Sequence, residues 1–332
     1  MSTVIEARGF TLELPAAGYA RPVLDRVTLS IERGTTLGIV GESGSGKSLL
    51  TKALLGDLPA GARTSGELHV AGTDVRAADP RQVRELRQRR IGMVFQDPKA
   101  SVNPVHRIGD FLCEQVVRTG LLTTVQARAR AIELLTKLRL HDPEAVLRRY
   151  PSELSGGMLQ RVVIAAAMMS EPEILVCDEA TTALDVTTQA EIVRILRELT
   201  ADFGVTLIFV THDLELAGDL CDRLCVLYAG QVLEIGPTRA VLDQPRHPYS
   251  AALLRSTPRL EGEQGVLPSI PGVVLPLTER PSGCVFADRC AVVSAACTAH
   301  EIPMRAHGEW SWRCLRTADA PEPREHDTEV TA

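Results

Sequence analysis

Gly41-Glu42-Ser43-Gly44-Ser45-Gly46-Lys47-Ser48 fills every fixed position of the pattern G-x-x-x-x-G-K-S/T. Each fixed residue has a physical task. Gly44 and Gly46 permit backbone angles that turn successive N–H groups inward around phosphate oxygens. A helix opening at Lys47, with Leu49 in its first turn, adds favourable dipole charge for an anion. Lys47 is suited to the β- and γ-phosphates of a nucleotide, and Ser48 to a Mg²⁺ ligand. A carboxylate pair follows the apolar run Ile174-Leu175-Val176-Cys177. Asp178 ends that run and suits the Mg²⁺ water shell. Glu179 is adjacent, so it points elsewhere, where a carboxylate can polarise an attacking water. Alone, these segments also read as a glycine-rich turn and two solvated acids; together, in this order, they point to nucleoside triphosphate chemistry.

Cysteine is the second chemical resource. Four of the eight cysteines, Cys284, Cys290, Cys297 and Cys314, fall near the carboxyl end with spacing C-x5-C-x6-C-x16-C. In a reducing compartment such clustering favours metal over disulfides. Zinc sites usually carry a tight C-x2-4-C pair, which is absent. Four thiolates also suit a 4Fe–4S cluster, although this is not ferredoxin spacing. A cluster, zinc and unligated thiols therefore all stay open on spacing alone. Cys113, Cys177, Cys221 and Cys225 read as small apolar residues.

The elements that must position these groups alternate between strand and helix. Residues 4–14 and 23–31 read as strands, and Leu37–Val40 as a short buried strand feeding the glycine-rich loop. Ser48–Leu55 reads as a helix, Arg81–Arg90 as a basic helix and Ile91–Phe95 as a strand. The stretch 97–170 is helical in pattern. Strands follow at Ile174–Cys177, Val205–Val210 and Leu224–Tyr228, with an amphipathic helix over Thr188–Asp202. The pattern predicts an α/β fold with a mixed, mostly parallel sheet covered on both faces. After about 240, seven prolines between Pro245 and Pro281 break the chain into short pieces. The predicted division is 1–240, a separate irregular cysteine-bearing extension over 241–316, and a disordered polar tail over 317–332.

Bulk properties narrow the class. The chain has 332 residues and 45% hydrophobic content, enough for one large domain and a smaller one. Its net charge of −6 argues against nucleic acid as a partner. No apolar run approaches the ~20 residues of a membrane span, and no secretory signal stands at the start, so a cytosolic location is expected.

Further motifs carry a resemblance. Gln96 lies in Val94-Phe95-Gln96-Asp97-Pro98, Leu154-Ser155-Gly156-Gly157-Met158-Leu159-Gln160-Arg161 precedes the carboxylates, and Ala183-Leu184-Asp185 and Val210-Thr211-His212-Asp213 follow them. Over residues 1–240 the chain resembles the ABC (ATP-binding-cassette) ATPases. The resemblance implies a P-loop cassette with a helical signature subdomain over 97–170, binding ATP and Mg²⁺. It implies Gln96 at Mg²⁺ or water on a loop that senses a membrane partner. It gives Ser155, Gly156, Gly157, Met158 and Gln160 to the ATP of an opposing subunit, Asp185 to the loop between subunits, and His212 to the γ-phosphate beside Glu179. Met158 stands where many relatives carry Gln. The adenine-stacking aromatic is not evident: Leu14 matches the family register, and Tyr19 is the nearest aromatic.

Ser101-Val102-Asn103-Pro104, Thr181–Ala190 and His247-Pro248-Tyr249 resemble the dipeptide, oligopeptide and nickel permease branch. That resemblance implies an ATPase powering peptide import from the cytoplasmic face of the membrane. Its implied partners are a second ATPase subunit, two transmembrane permease subunits and an extracytoplasmic binding protein. Permeases of this branch can carry a 4Fe–4S cluster on the four cysteines. Importers of nickel chelates or sugars, or a soluble non-transport cassette, are the alternatives.

Overall fold

Burial explains where the strands lie. The computed structural model describes residues 2–15, 22–182, 184–257, 268–277 and 281–315. Its strands are β1 (Thr3–Glu13), β2 (Leu24–Glu32), β3 (Thr36–Val40), β4 (Arg63–Val70), β5 (Thr73–Asp74), β6 (Ile91–Val94), β7 (Ile174–Asp178), β8 (Thr206–Thr211), β9 (Arg223–Tyr228), β10 (Gln231–Pro237), β11 (Arg305–His307) and β12 (Trp310–Trp312). They form two sheets. β2-β1-β4-β5 is antiparallel. The larger sheet has the order β11-β12-β10-β9-β3-β8-β7-β6. There β9, β3, β8, β7 and β6 are parallel to one another. β3 and β8 are buried at every residue, as strands covered on both faces must be.

Helices cover this sheet and build a separate layer. The segments Ile108–Arg118, Thr124–Lys137, Pro143–Arg148 and Gly156–Met168 pack through Leu112, Val116, Ala131, Leu134, Leu135 and Val162, all buried. Local sequence marks their starts. Thr123 and Gln126 form a reciprocal capping box at the second helix. Asp142 accepts from the Ala145 N–H at the third, and Ser155 accepts from the Met158 N–H at the fourth.

The proline-rich texture predicts a separate extension after 240; among its described residues, β11 and β12 join the edge of the larger sheet. β12 pairs antiparallel with β10, setting Glu234 opposite Trp312 and Ile235 opposite Ser311. Glu234 is fully buried and accepts from Trp310 Nε1 at 2.8 Å, Arg246 N at 2.8 Å and His247 N at 2.9 Å. Burial pushes its carboxyl above the usual range, while those donors act in the opposite sense. His247 is buried, and its Nδ1 accepts from the Tyr249 N–H at 3.0 Å, capping the helix Pro248–Arg255. β4, β5, β10, β11 and β12 have no counterpart among the strands predicted from sequence. Residues 317–332 and Tyr19 lie outside the described residues.

Close approach between layers is testable at Gly92 in β6. A Cβ there would meet the Ala167 carbonyl oxygen at 2.3 Å and the Pro172 ring at 3.2 Å. Gly92→Ala must therefore push β6 from the helix Gly156–Met168, at a cost of about 2 kcal/mol. The expected result is a thermal midpoint lowered by several degrees; an unchanged midpoint shows that this contact yields freely.

Candidate nucleotide site

Parallel strands deliver the expected residues to one edge. The glycine-rich loop follows β3, Gln96 follows β6, Asp178 closes β7 with Glu179 next, and His212 follows β8. Register aligns these ends: Asp178 pairs with Val210, and Val40 with Thr211. The carboxyl edge of such a sheet is where α/β folds bind ligands.

The loop has the backbone its glycines permit, with φ of 78° at Gly44 and 104° at Gly46. The helix Lys47–Leu54 begins directly after Gly46. Ser43, Gly44 and Ser48 are exposed, Leu49 is half-buried, and Gly41, Ser45, Gly46 and Lys47 are buried. Lys47 Nζ donates to the carbonyls of Gly41 at 2.7 Å and Glu42 at 3.0 Å. Burial lowers its pKa, and the charges of Glu179, Asp178 and Glu42 partly oppose that shift.

The carboxylates differ as adjacent positions should. Asp178 is largely buried, and its Oδ1 has no hydrogen-bond partner among the described residues. Burial first, then Glu179, raises its pKa, against Lys47 and Lys52. An orphaned carboxylate oxygen beside a second acid is a fitting place for a cation. Glu179 accepts from Gln96 Nε2 at 3.1 Å. Its φ of 50° lies in the left-handed region, sparsely populated by non-glycine residues. Two backbone hydrogen bonds hold it there: its N–H donates to Val210 O at 2.9 Å, and its carbonyl accepts from Thr182 N at 3.1 Å. His212 is exposed at the next strand end.

The remaining motif residues lie on other elements. Ser155 and Gly156 are exposed at the start of their helix, Gly157 and Met158 are half-buried, and no hydrogen bond among the described residues ties them to the glycine-rich loop. Gln160 departs from expectation. It faces the interior, fully buried, with neither amide atom partnered among the described residues. It shares its helix flank with Val163 and Ile164, three and four residues further on and both buried, so its amide faces the core and not an external nucleotide. Asp185 caps the helix Val186–Phe203, accepting from Thr188 N at 3.0 Å and Thr188 Oγ1 at 2.7 Å.

The four late cysteines do converge. Cys284, Cys290, Cys297 and Cys314 line one small cavity of about 20 Å³ with His247, Ile302 and Arg313. Burial pushes the Cys284 thiol up to about 11, and the other three sulfurs act in the same sense. No group of three or more His, Cys, Asp or Glu among the described residues is placed to share a single metal ion.

Sequence reasoning missed Arg289. It donates to both carboxylate oxygens of Glu42, at 2.7 and 3.0 Å, from the far end of the chain. Tyr249 Oη accepts from the Glu42 N–H at 2.9 Å. Nothing in the sequence spacing signals contacts across 247 residues.

Known proteins agree with this geometry. The ABC transporter family model matches residues 24–182, and the oligopeptide/dipeptide transporter C-terminal region matches 233–297. A protein of Escherichia coli K12 named "Probable D,D-dipeptide transport ATP-binding protein" is 40% identical over 314 residues, 94% of this chain and 95% of its own. The dipeptide transport ATP-binding protein of the same organism is 41% identical, covering 87% and 89%. Among solved structures, a component of an ABC transporter complex of Clostridium perfringens superposes with a TM-score of 0.63 at 25% identity, over 74% of this chain and 92% of that one. An ATP-binding cassette solved as a dimer with ADP and phosphate gives 0.61 at 28% identity, over 71% and 99%. A P-loop sheet with its motif residues on one edge, a capped signature helix and these matches together place the chain in the ABC transporter family of ATP-binding proteins.

Proposed function

We propose that this chain is the ATP-hydrolysing subunit of an importer of di- or oligopeptides, paired with a second ATPase subunit on the cytoplasmic face of a membrane. The observation that carries this reading is the union in one chain of the cassette and the oligopeptide/dipeptide transporter C-terminal region. No described helix is long and apolar enough to cross a membrane, so two transmembrane permease subunits would supply the pathway. An extracytoplasmic binding protein would deliver the peptide.

The residues divide the work. The N–H groups of Gly44 to Ser48 hold the phosphates, and Lys47 exchanges its carbonyl partners for phosphate oxygens. Ser48 and Asp178 suit Mg²⁺, with Gln96 beside them; the ion would supply charge neutralisation between the phosphates. Glu179 takes the water's hydrogen bond, fixed by its strained backbone and by Gln96. His212, one strand over, suits the γ-phosphate. Ser155 to Met158 lie exposed or half-exposed on another layer, ready for the nucleotide held by an opposing subunit. Binding of ATP then draws two chains together, and hydrolysis releases them. Glu179→Gln is expected to keep ATP binding while turnover falls at least ~100-fold; steady-state hydrolysis near the wild-type rate removes Glu179 from this role.

Four cysteines around one small cavity are the donor set that a 4Fe–4S cluster would use, with zinc the alternative. No three of them among the described residues are placed to share a metal ion, so a bound group would have to draw the thiols together, and it would then cross-link the extension. Deprotonation of a thiol with a pKa near 11 calls for a strong cationic partner. Anaerobically purified protein is expected to hold about four iron and four acid-labile sulfide per chain; zinc at one per chain without iron overturns the assignment.

A further inference from the structure

We propose that Arg289, in the C-terminal extension, is a positioning residue for ATP, acting through Glu42 of the phosphate loop. Glu42 has three polar groups, and each is held. Its carbonyl accepts from Lys47 Nζ at 3.0 Å. Its N–H donates to Tyr249 Oη at 2.9 Å. Its carboxylate takes both arms of the Arg289 guanidinium. Two of the three holds come from residues beyond the carboxyl end of the main strand series.

Arg289 is itself rigidly placed. Nε donates to Pro271 O at 2.8 Å, Nη2 to Ile270 O at 3.3 Å, and Nη1 to Tyr228 Oη at 3.3 Å. The guanidinium lies 5.7 Å from the Tyr228 ring centre and 5.9 Å from that of Phe286. Only 5% of the Arg289 side chain is exposed, against 22% for Glu42. Burial this deep makes the pair more than a solvated surface contact, and the fork geometry fixes direction as well as charge.

The chemistry of the loop gives this pair its consequence. Glu42 is the second residue of a segment whose task is to collect phosphate charge. An uncompensated carboxylate there repels a triphosphate through a partly dry medium. Arg289 cancels that charge and draws the side chain toward the extension, away from the line of inward N–H groups. Tyr249 fixes the same residue by its backbone. The extension thus finishes the phosphate loop, and its loss is felt in nucleotide affinity before it is felt in chemistry.

The test measures KM and kcat for ATP in the assembled transporter, with the dissociation constant for ADP on the full chain. Arg289→Gln is expected to raise KM and the ADP constant about tenfold, the size of one charged contact, with kcat within about threefold. Adding Glu42→Gln removes the unmasked charge and is expected to recover most of the loss. A structural role alone would not be rescued by a second substitution in the loop. Tyr249→Phe keeps the packing and loses only the acceptor, and is expected to raise KM about threefold. The proposal is overturned if the double variant binds as weakly as Arg289→Gln. It is also overturned if kcat falls with KM unchanged. Should Arg289→Gln fail to fold, an unchanged KM in Tyr249→Phe overturns it.

Discussion

The alignment of parallel strand ends is the constraint on which the site depends. β3, β8, β7 and β6 lie side by side in register, and each ends in a residue or loop the proposed chemistry uses. None of these groups is near another in sequence. Hydrogen bonds between β7 and β8 place Asp178 opposite Val210, so Glu179 emerges beside the strand end that carries His212. The same ladder supplies the Val210 carbonyl that holds Glu179 in its left-handed conformation. A slip of one residue between β7 and β8 would turn Asp178 to the other face and break that bond.

The charges at this edge are arranged around something the protein itself does not provide. Lys47 is buried, with backbone carbonyls as its partners, and burial lowers its pKa. Asp178 has an oxygen with no partner among the described residues, and its pKa is raised. These opposed shifts have one physical origin: each group has lost water without gaining a full counter-charge. A cation at Asp178 and phosphates at Lys47 would relieve both, which is the charge pattern of Mg²⁺ with a polyphosphate.

Much of this was legible in the sequence, for identifiable reasons. All-apolar runs such as Ile174–Cys177 and the glycine pattern at Gly41–Ser48 report local requirements, and the structure meets them within a residue or two. The signature serine also behaves locally, as a helix cap. What escaped was decided at a distance. β4 and β10 lie in stretches of mixed polarity whose strand character comes from neighbours. The Trp310–Trp312 segment reads as part of a detached extension until β10 pairs with it. Gln160 looks like a polar ligand beside the signature, but helix rotation turns it inward. The four cysteines are gathered around one cavity by the fold and not by a short loop, so their sequence spacing does not announce the convergence.

Arg289 and Cys290 are consecutive, and this gives the extension its place in the design. One faces the phosphate loop through Glu42; the other lines the cysteine cavity. The turn Ala287–Arg289 between Phe286 and Cys290 is short, and Arg289 and Cys290 each close it with a backbone hydrogen bond, at 3.1 Å in both cases. Such a turn transmits position with little slack. A change of position at Cys290 would thus be felt at the guanidinium, which is bound to both carboxylate oxygens of Glu42. Here the segment with the least regular structure bears on the most regular one, because a buried fork-shaped ion pair demands a defined origin at both ends.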